Sequence, residues 1–501
     1  MIFYLHKLFI GIIFLFSSSC GDQPIAQQDS NERQDIAFEE GKNQNLNCAN
    51  TVVPNHVASP KFKKAQKKEG VLQLSKNIIW EVDKEILEKY KASFSGVEKE
   101  AKRTGSAEGN DVTVELQIVS LSALEKVQDI PPAFNSNGGG YLLQINAGRI
   151  NIYALEEAGF INALGSLESL IDLQNGKLNQ VFILDWPDLE MRGAQIVFRA
   201  ITSDVAIAAI DRLRRGHYNL VLFSISNNVQ FKSIGKLANN CAWPLQDFLK
   251  VVQYARESGM EVIPELRFLS HQHKDFLVLG AYPELMYNEK TYDPRNEKVY
   301  KIVFSYIDEV IETINPKAIH IGHDEVYGVS GRDAGAEDAL PPALFKEDVL
   351  KLHQYLKAKN VRTWMWGDML ITPSEFPNMH PGSINGTKEY AEIRKSIPKD
   401  IVICDWHYRA DENKELQFPS LETFANEGFA VLGATFRHPH VTKQFAGYAA
   451  DLDNPNVKGM IATTWTFLRK GAQNGRQSDN YESFDGLIQY SAEAFWNGGQ
   501  Y

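Results

Sequence analysis

The sequence predicts a (β/α)8 barrel preceded by a small α+β domain, because strand-like and helix-like segments alternate from about residue 181 onwards. About eight short apolar runs lie in this region, and helical patterns separate most of them. Continuous apolar runs are typical of parallel strands that are buried on both faces. A doubly wound sheet is the alternative, but ILDWPDLEMRG, which follows the first run, lacks the glycine-rich turn of that fold.

The composition indicates a folded protein and excludes some partners. The chain has 501 residues, of which 44% are hydrophobic, so it can bury a large core. Its net charge of −11 argues against a nucleic-acid partner, and it is compatible with a neutral or cationic substrate. The four cysteines are too few and too scattered for a disulfide framework or a zinc site: Cys20, Cys48, Cys241 and Cys404.

Residues 1–20 are typical of an export signal, with an apolar run from Leu8 to Phe16 that is too short to cross a bilayer as a mature helix. Ser17 to Ser19 and then Cys20 resemble a bacterial lipoprotein cleavage site, although Ser17 stands where leucine is usual. The resemblance implies that Cys20 is lipidated and anchors an exported, periplasmic or surface-facing protein to a membrane. An ordinary signal peptide is the alternative.

Three further segments complete the predicted organisation. Residues 21–60 are rich in polar residues and predict a flexible tether. Residues 61–180 predict the small α+β domain, which includes a hairpin around Ala147-Gly148. Residues 181–501 predict the barrel, with strands at Val181–Trp186, Leu220–Ile225, Glu261–Arg267, Ala318–Ile321, Val361–Trp366, Ile401–Trp406, Ala430–Ala434 and Gly459–Thr464.

The fourth of these strands delivers two adjacent acids, Asp324 and Glu325, in the stretch KAIHIGHDEVYG. Each carboxylate disfavours ionisation of the other, so a partly buried site could keep one of them protonated near neutral pH. That arrangement suits an acid catalyst. The alternative is an exposed turn in which an acid caps the next helix.

Most other predicted strands also end in polar or aromatic residues, and in a barrel such ends face one another. Carboxylates among tryptophans suit a pyranose, because the rings stack on apolar sugar faces while polar groups bind hydroxyls. The residues at these ends are Asp185, Trp186, Arg192, Glu265, Arg267, His271, Trp364, Trp366, Asp368, Asp405, Trp406, Tyr408, Arg437, His438 and Trp465.

The sequence also resembles family 20 glycoside hydrolases, the β-N-acetylhexosaminidases, whose motif H-x-G-G-D-E is matched by His320, Gly322, Asp324 and Glu325. Further resemblances are DWPDLEMRG, VVQYARESGMEVIPEL, WMWGDML, DWHY and ATTWTF. They imply an exo-acting hydrolase of a terminal β-linked N-acetylhexosamine in a glycan, without a cofactor or metal. The implied substrate-binding residues are Arg192, His271, Trp366, Asp368, Trp406 and Trp465.

The resemblance implies a substrate-assisted, retaining mechanism, in which the 2-acetamido oxygen of the sugar attacks its own anomeric carbon. Glu325 is then the general acid and base, and Asp324 orients the acetamido nitrogen. Tyr408 binds the acetamido oxygen. Three departures from the family pattern stand out: His323 replaces a glycine, Phe467 replaces a glutamate, and Ser224 with Asn227 replaces a histidine and an aspartate.

Three alternative functions remain open from the sequence. A conventional glycosidase would use Glu265 and Glu325 on a sugar without an N-acetyl group. A tethered sugar-binding protein would keep the pocket without turnover, and a structural lipoprotein is hard to reconcile with so many acids and aromatics at strand ends. A metal cluster of His320, His323, Asp324 and Glu325 would require tight sequence neighbours to converge on one ion.

Overall fold

The computed structural model describes residues 57–107, 111–126, 128–199, 201–235, 237–272, 282–329, 334–409, 416–465, 468 and 483–500. The predicted export signal with Cys20, most of the predicted tether and Phe467 lie outside these residues. None of the helices in the described ranges combines the length and the apolar character needed to cross a membrane.

The N-terminal domain is a six-stranded mixed sheet with helices, as predicted for an α+β domain. The spatial order of the strands is β1-β6-β4-β5-β3-β2. The strands are β1 Lys64–Gln73, β2 Ile78–Glu81, β3 Val112–Ile118, β4 Tyr141–Ile145, β5 Arg149–Ala154 and β6 Lys177–Asp185. The helices are Lys84–Lys89, Lys91–Thr104, Leu121–Leu124 and Glu157–Leu173, with a 3₁₀ turn at Pro132–Asn135.

The C-terminal domain is a closed barrel of eight parallel strands, which confirms the predicted (β/α)8 fold. Alternate strand residues fill the barrel interior, and a larger apolar core lies between the strands and the surrounding helices. The barrel strands are β7 Met191–Val197, β8 Leu220–Ser224, β11 Glu261–Phe268, β12 Ala318–Gly322, β13 Arg362–Trp366, β14 Val402–Trp406, β15 Val431–Thr435 and β16 Val457–Ala462.

Helices follow the barrel strands along the chain, and short elements lie in the loops. The helices are Ser203–Arg215, Leu245–Glu257, Glu297–Ile314, Pro342–Ala358, Lys388–Ile393, Pro419–Asn426, Pro439–Asp451 and Phe484–Trp496. The short elements are the paired strands β9 Val229–Gln230 and β10 Trp243–Pro244, and 3₁₀ turns at Lys232–Ile234, Pro283–Leu285, Asp368–Leu370 and Pro381–Ser383.

The first barrel strand differs from the prediction. The strand predicted at Val181–Trp186 forms as β6, but it pairs with β1 and β4 of the N-terminal sheet. The barrel instead begins with β7, which pairs with β8 and closes the barrel against β16. β6 contains the continuous apolar run VFIL, whereas arginine, glycine and glutamine interrupt the apolar residues of β7, MRGAQIV. The local pattern therefore favoured β6, but strand pairing places β7 in the barrel.

Consequently, Asp185 does not lie at the rim of the barrel. It is completely buried, and it accepts hydrogen bonds from the Trp496 indole nitrogen at 3.0 Å and from the Tyr141 hydroxyl at 3.1 Å. Burial raises the pKa of Asp185 to about 6. Because Trp496 ends the last helix, this acid joins the two domains. The last residues of the predicted tether also pack there, where the Ala58 nitrogen donates to Gln489.

Candidate active site

The carboxyl ends of five barrel strands bring most of the predicted site residues to one end of the barrel. Strand β11 leads to His271, β12 to Asp324 and Glu325, β13 to Asp368, β14 to Tyr408, and β16 to Trp465. This is the end at which barrel enzymes carry their chemistry. The candidate site is built from these residues and from the side chains that contact them.

The turn after β12 has an unusual backbone. Gly322, His323 and Glu325 have φ values of +87°, +73° and +47°. A Cβ added at Gly322 would lie only 2.9 Å from the Arg267 Cα, because the neighbouring strand packs directly against the turn. Left-handed non-glycine residues are uncommon, and they concentrate at functional sites that hold them in place.

Asp324 is the buried acid of the pair. Its side chain contacts His271, with 3.3 Å between Oδ2 and Nε2. Burial disfavours the charged carboxylate, but His271 and Arg267 outweigh burial and lower the pKa of Asp324. The Oδ1 atom is buried and has no hydrogen-bond partner among the described residues. Asp324 therefore presents an anionic oxygen that can accept a hydrogen bond from a ligand.

Glu325 is the exposed acid of the pair. Its side chain is 39% exposed, and its Oε2 lies 3.9 Å from Nε2 of His271. Its main-chain nitrogen donates to Oδ2 of Asp368 at 3.0 Å, so the backbone is fixed while the carboxyl reaches solvent. Two adjacent carboxyls thus have different surroundings, which allows them different roles.

His271 lies between the two acids rather than apart from them. Burial disfavours the charged imidazolium, yet the pKa of His271 is raised because Asp324 and Glu325 lie beside it. The sequence predicted a substrate-binding role for this histidine. The structure adds a contact with both acids, through which His271 fixes the charge of Asp324.

Within the part of the chain that the structure describes, His271, Asp324 and Glu325 form a group that could hold a metal ion. The ligand atoms of His271, Asp324 and Glu325 all lie within 4.8 Å of one another. The cluster considered from the sequence does not form as proposed, because His320 and His323 point elsewhere. Nδ1 of His320 accepts from the Gly322 nitrogen at 3.1 Å, and Nε2 of His323 contacts Asp348 at 2.8 Å.

Asp368 lies behind the acid pair. Its Oδ2 accepts from the Glu325 nitrogen and from Nδ2 of Asn385 at 2.9 Å, and its Oδ1 is buried without a partner in the described part of the chain. Burial, and then the charges of Asp324 and Glu325, raise the pKa of Asp368 to about 7. Oδ2 of Asp368 therefore holds the turn that carries the acid pair, and only Oδ1 of Asp368 is left for the predicted contact with a sugar hydroxyl.

The raised pKa of Asp368 predicts a pH-dependent stability. Because the folded state holds this proton more tightly than the unfolded state, wild-type stability should decrease as the pH rises towards the folded pKa of about 7. Relative to Asp368→Asn, the wild type should lose on the order of 2 kcal/mol between pH 5 and pH 8. Urea unfolding of both proteins at the two pH values measures this. If the stabilities of the wild type and Asp368→Asn change equally with pH, the pKa of Asp368 is not raised.

Aromatic side chains line the pocket beside the acids. Tyr408 stacks on Trp406, with 4.7 Å between ring centroids. Burial raises the pKa of Tyr408 well above its usual value, so the hydroxyl remains protonated and can donate. Trp406 is 8% exposed, and Trp465 is half-buried with the Arg267 guanidinium 5.5 Å above its ring.

Trp366 lies deeper than a sugar-stacking wall would. It is 1% exposed, and its indole nitrogen donates to Oε1 of Glu265 at 3.1 Å. Its ring packs against Trp465 at 6.2 Å, so it supports the stacking tryptophan from below. The strand directs this side chain into the barrel interior, so Trp366 lies deeper than predicted, and its contact with the sugar stays a prediction.

Glu265 is unsuited to the nucleophilic role of the conventional alternative. It is completely buried, with Oε1 bonded to Trp366 and Oε2 accepting from Nε2 of Gln195 at 3.0 Å. Burial raises the pKa of Glu265, which disfavours the carboxylate. Ser224, one of the departures from the family pattern, lies on β8 beside Glu265 and partly offsets the effect of burial on this pKa.

The prediction that Arg192 binds sugar hydroxyls was wrong. Arg192 lies near the beginning of β7, at the opposite end of the barrel from the acid pair. Its guanidinium is buried and donates to the carbonyl oxygens of His217 and Leu189 at 2.8 and 2.7 Å. The misplaced first strand caused the error, because Val181–Trp186 would have put Arg192 beyond a strand end.

Two residues near the site were missed in the sequence. Arg199 is buried two residues beyond the end of β7, where a barrel strand delivers its functional side chains. The correct first strand would have identified it. Asn385, which holds Asp368, lies in a loop without any motif, so no sequence signal pointed to it. Asn227, a noted departure, donates to the Leu237 carbonyl oxygen at 3.0 Å.

Comparison with known proteins finds a match to one family. Residues 230–467 match the catalytic domain of glycosyl hydrolase family 20. A β-hexosaminidase A of Caenorhabditis elegans is 24% identical over 355 residues, which are 60% of this chain and 62% of that protein. A lacto-N-biosidase of Bifidobacterium bifidum is 24% identical over 410 residues, covering 76% of this chain. The chain spans less than two thirds of these relatives, 62% and 32% of their lengths.

Solved structures share the fold. A β-N-acetylhexosaminidase from Bacteroides fragilis superposes with a TM-score of 0.62 at 17% identity, covering 88% of this chain and 91% of that one. An exo-β-N-acetylglucosaminidase from Vibrio harveyi, solved with N-acetylglucosamine, gives 0.60 at 14% identity and covers 89% of this chain and 75% of that one. The barrel and the preceding α+β domain therefore occur together in these proteins.

Proposed function

Because this chain belongs to glycosyl hydrolase family 20, as a divergent member, we propose that it is an exo-acting β-N-acetylhexosaminidase that uses substrate-assisted, retaining catalysis. One observation carries the proposal: a buried Asp324, whose pKa is lowered, stands beside an exposed Glu325, and both carboxyls lie within 4 Å of His271. Substrate assistance needs a fixed anion for the acetamido group and a separate acid for the leaving group.

The proposed roles follow from these surroundings. Glu325 protonates the leaving glycosidic oxygen and later removes a proton from the incoming water, because its carboxyl reaches solvent. Asp324 accepts the acetamido N–H through Oδ1 and stabilises the positive charge that develops on the cyclising group. The Tyr408 hydroxyl donates to the acetamido oxygen, and the indole rings of Trp406 and Trp465 pack on the sugar.

Hydrolysis of aryl N-acetyl-β-glucosaminide and aryl N-acetyl-β-galactosaminide tests this function. We expect turnover of at least one of them, and an aryl lacto-N-bioside joins the panel because one relative is a lacto-N-biosidase. Absence of turnover on all three, with retained binding of N-acetylglucosamine, would contradict the hydrolase and support a sugar-binding protein.

Replacing Tyr408 with phenylalanine should lower kcat/KM for the N-acetyl substrates about 10- to 100-fold, since one hydrogen bond to a developing charge is lost. Steady-state kinetics with the hydrolysed aryl sugar measures the effect. Tyr355→Phe is the matched control, because this exposed hydroxyl donates to Asp308 on the outer helices. Equal losses in both variants would show that the effect does not arise from the acetamido contact.

We also propose that the protein is exported and anchored through a lipid on Cys20. Cys241 is disulfide-bonded, and disulfides persist in oxidising compartments. Cys20→Ala should move the protein from the membrane fraction to the soluble fraction of the producing bacterium. Immunoblotting of the two fractions measures this, and an unchanged distribution would contradict a lipid anchor on Cys20.

A further inference from the structure

His323 occupies the second glycine position of the H-x-G-G-D-E pattern, directly before the acid pair. Its φ is +73°, a left-handed conformation that glycine adopts freely and other L-residues adopt at a cost. Glycine at this position therefore matches the backbone that the turn requires. This chain keeps the conformation with a histidine, so other contacts must stabilise it.

The His323 imidazole is held by a fully buried carboxylate. Its Nε2 lies 2.8 Å from Oδ2 of Asp348, and both side chains have no exposed surface. Nδ1 lies 3.3 Å from the Ile321 carbonyl oxygen, and the Phe345 ring packs edge-on at 5.6 Å between centroids. Asp348 and Phe345 both belong to the helix Pro342–Ala358, so the turn is fastened to that helix.

Asp348 is itself fixed by two tyrosines. The Tyr292 hydroxyl donates to its two oxygens at 3.0 and 2.8 Å, and the Tyr300 hydroxyl donates to Oδ1 at 2.7 Å. Burial and the charge of Asp348 raise the pKa values of both tyrosines, so both hydroxyls keep their protons. A buried carboxylate with three hydrogen-bonding partners is a rigid support.

The anchored turn continues into the catalytic acids. Glu325 is also left-handed, and its nitrogen donates to Asp368 at 3.0 Å, so the turn is fixed from a second side. Asp324 lies between these two fixed points. A loss of either support would let the backbone relax towards ordinary φ values and displace both carboxyls from His271.

We propose that His323 is a positioning residue, which replaces the conformational freedom of glycine with a hydrogen bond to Asp348 and thereby holds Asp324 and Glu325 in their reactive placement. The imidazole touches no substrate in this arrangement, because it points away from the pocket into the helix layer. The kinetic consequence rests on the proposed hydrolase function, whereas the structural consequence does not.

The test compares His323→Gly, His323→Ala and Asp348→Asn by crystallography and by kinetics. Glycine accepts the left-handed turn without an anchor, so the Glu325 nitrogen should stay within hydrogen-bonding distance of Asp368. Alanine removes the hydrogen bond to Asp348 but still disfavours the left-handed backbone. The contact between the Glu325 nitrogen and Asp368 should therefore be lost in His323→Ala, and kcat should be at least tenfold below that of His323→Gly. Asp348→Asn should lower kcat about tenfold when residue 323 is histidine and less than twofold in the His323→Gly background.

Asn360 provides the matched control, because it is also left-handed, with φ of +57°, but lies at the opposite end of β13. Asn360→Ala should lower the unfolding temperature without changing kcat. Equal positions of the acid pair in the alanine and glycine variants at 323 would overturn the proposal, whether or not the protein hydrolyses a sugar. An Asp348→Asn effect of equal size in both backgrounds would overturn it as well.

Discussion

Replacing Glu325 with glutamine should lower kcat for an N-acetyl-β-hexosaminide about 10²- to 10⁴-fold, because the variant lacks the proposed general acid and base. The loss should grow as the leaving group becomes more basic, since a poor leaving group needs protonation most. KM should change little, because Glu325 is the exposed member of the pair and its backbone contact with Asp368 is retained.

Rates measured for a series of aryl leaving groups of different pKa test this assignment. The variant should show a steeper dependence on leaving-group pKa than the wild type. Glu422→Gln is a control, because Glu422 accepts a hydrogen bond from Tyr448 on the outer helices. A Glu325→Gln enzyme whose rates fall uniformly across the series would not have lost its general acid.

Replacing Asp324 with asparagine should lower kcat about 10²- to 10³-fold on N-acetyl substrates, because a neutral amide does not stabilise the positive charge of the cyclising acetamido group. His271 would also lose the anion that helps to raise its pKa, so the substitution changes the charge at both positions. Binding of a stable mimic of the cyclised intermediate should weaken by a similar factor, since it carries the same charge.

Glu265→Gln is the decisive comparison for Asp324→Asn. Glu265 is buried beneath the pocket and bonded to Trp366 and Gln195, so its loss should act through packing and affect kcat less than the loss of Asp324. Kinetics of both variants distinguish the substrate-assisted mechanism from the conventional mechanism with two carboxylates. Unfolding curves are the control for folding. Intact hydrolysis in Asp324→Asn together with an inactive Glu265→Gln would show that substrate assistance is wrong.

The sequence predicted the barrel because seven of its strands are short, mostly apolar segments separated by helical patterns. It misplaced the first strand because β6 carries the continuous apolar run VFIL, whereas polar residues and a glycine interrupt β7. Which of them enters the barrel depends on pairing with β16, more than 250 residues away. Arg192 was assigned to the pocket for the same reason, and Arg199 was missed.

Some residues of the candidate site could be identified from the sequence, and other features of the site could not. Asp324, Glu325, Tyr408 and Trp465 were identifiable because each follows a strand end directly, and barrel topology brings such ends together. The depth of Trp366 and the contact between Asp368 and the Glu325 backbone depend on loop geometry, which no local pattern encodes. The sequence showed that His323 replaces a glycine of the family pattern. It did not show that Asp348 holds this histidine, because that contact depends on how a neighbouring helix packs.

In the proposed mechanism, the acetamido group of the substrate is the nucleophile. The most direct test compares release of the aryl alcohol from an aryl N-acetyl-β-glucosaminide and from the matching aryl β-glucoside, by protein that begins at Gly21. The account predicts turnover of the N-acetyl sugar and none of the glucoside, because the glucoside lacks the group that attacks. Equal or faster turnover of the glucoside would contradict substrate assistance and assign the nucleophile to the enzyme.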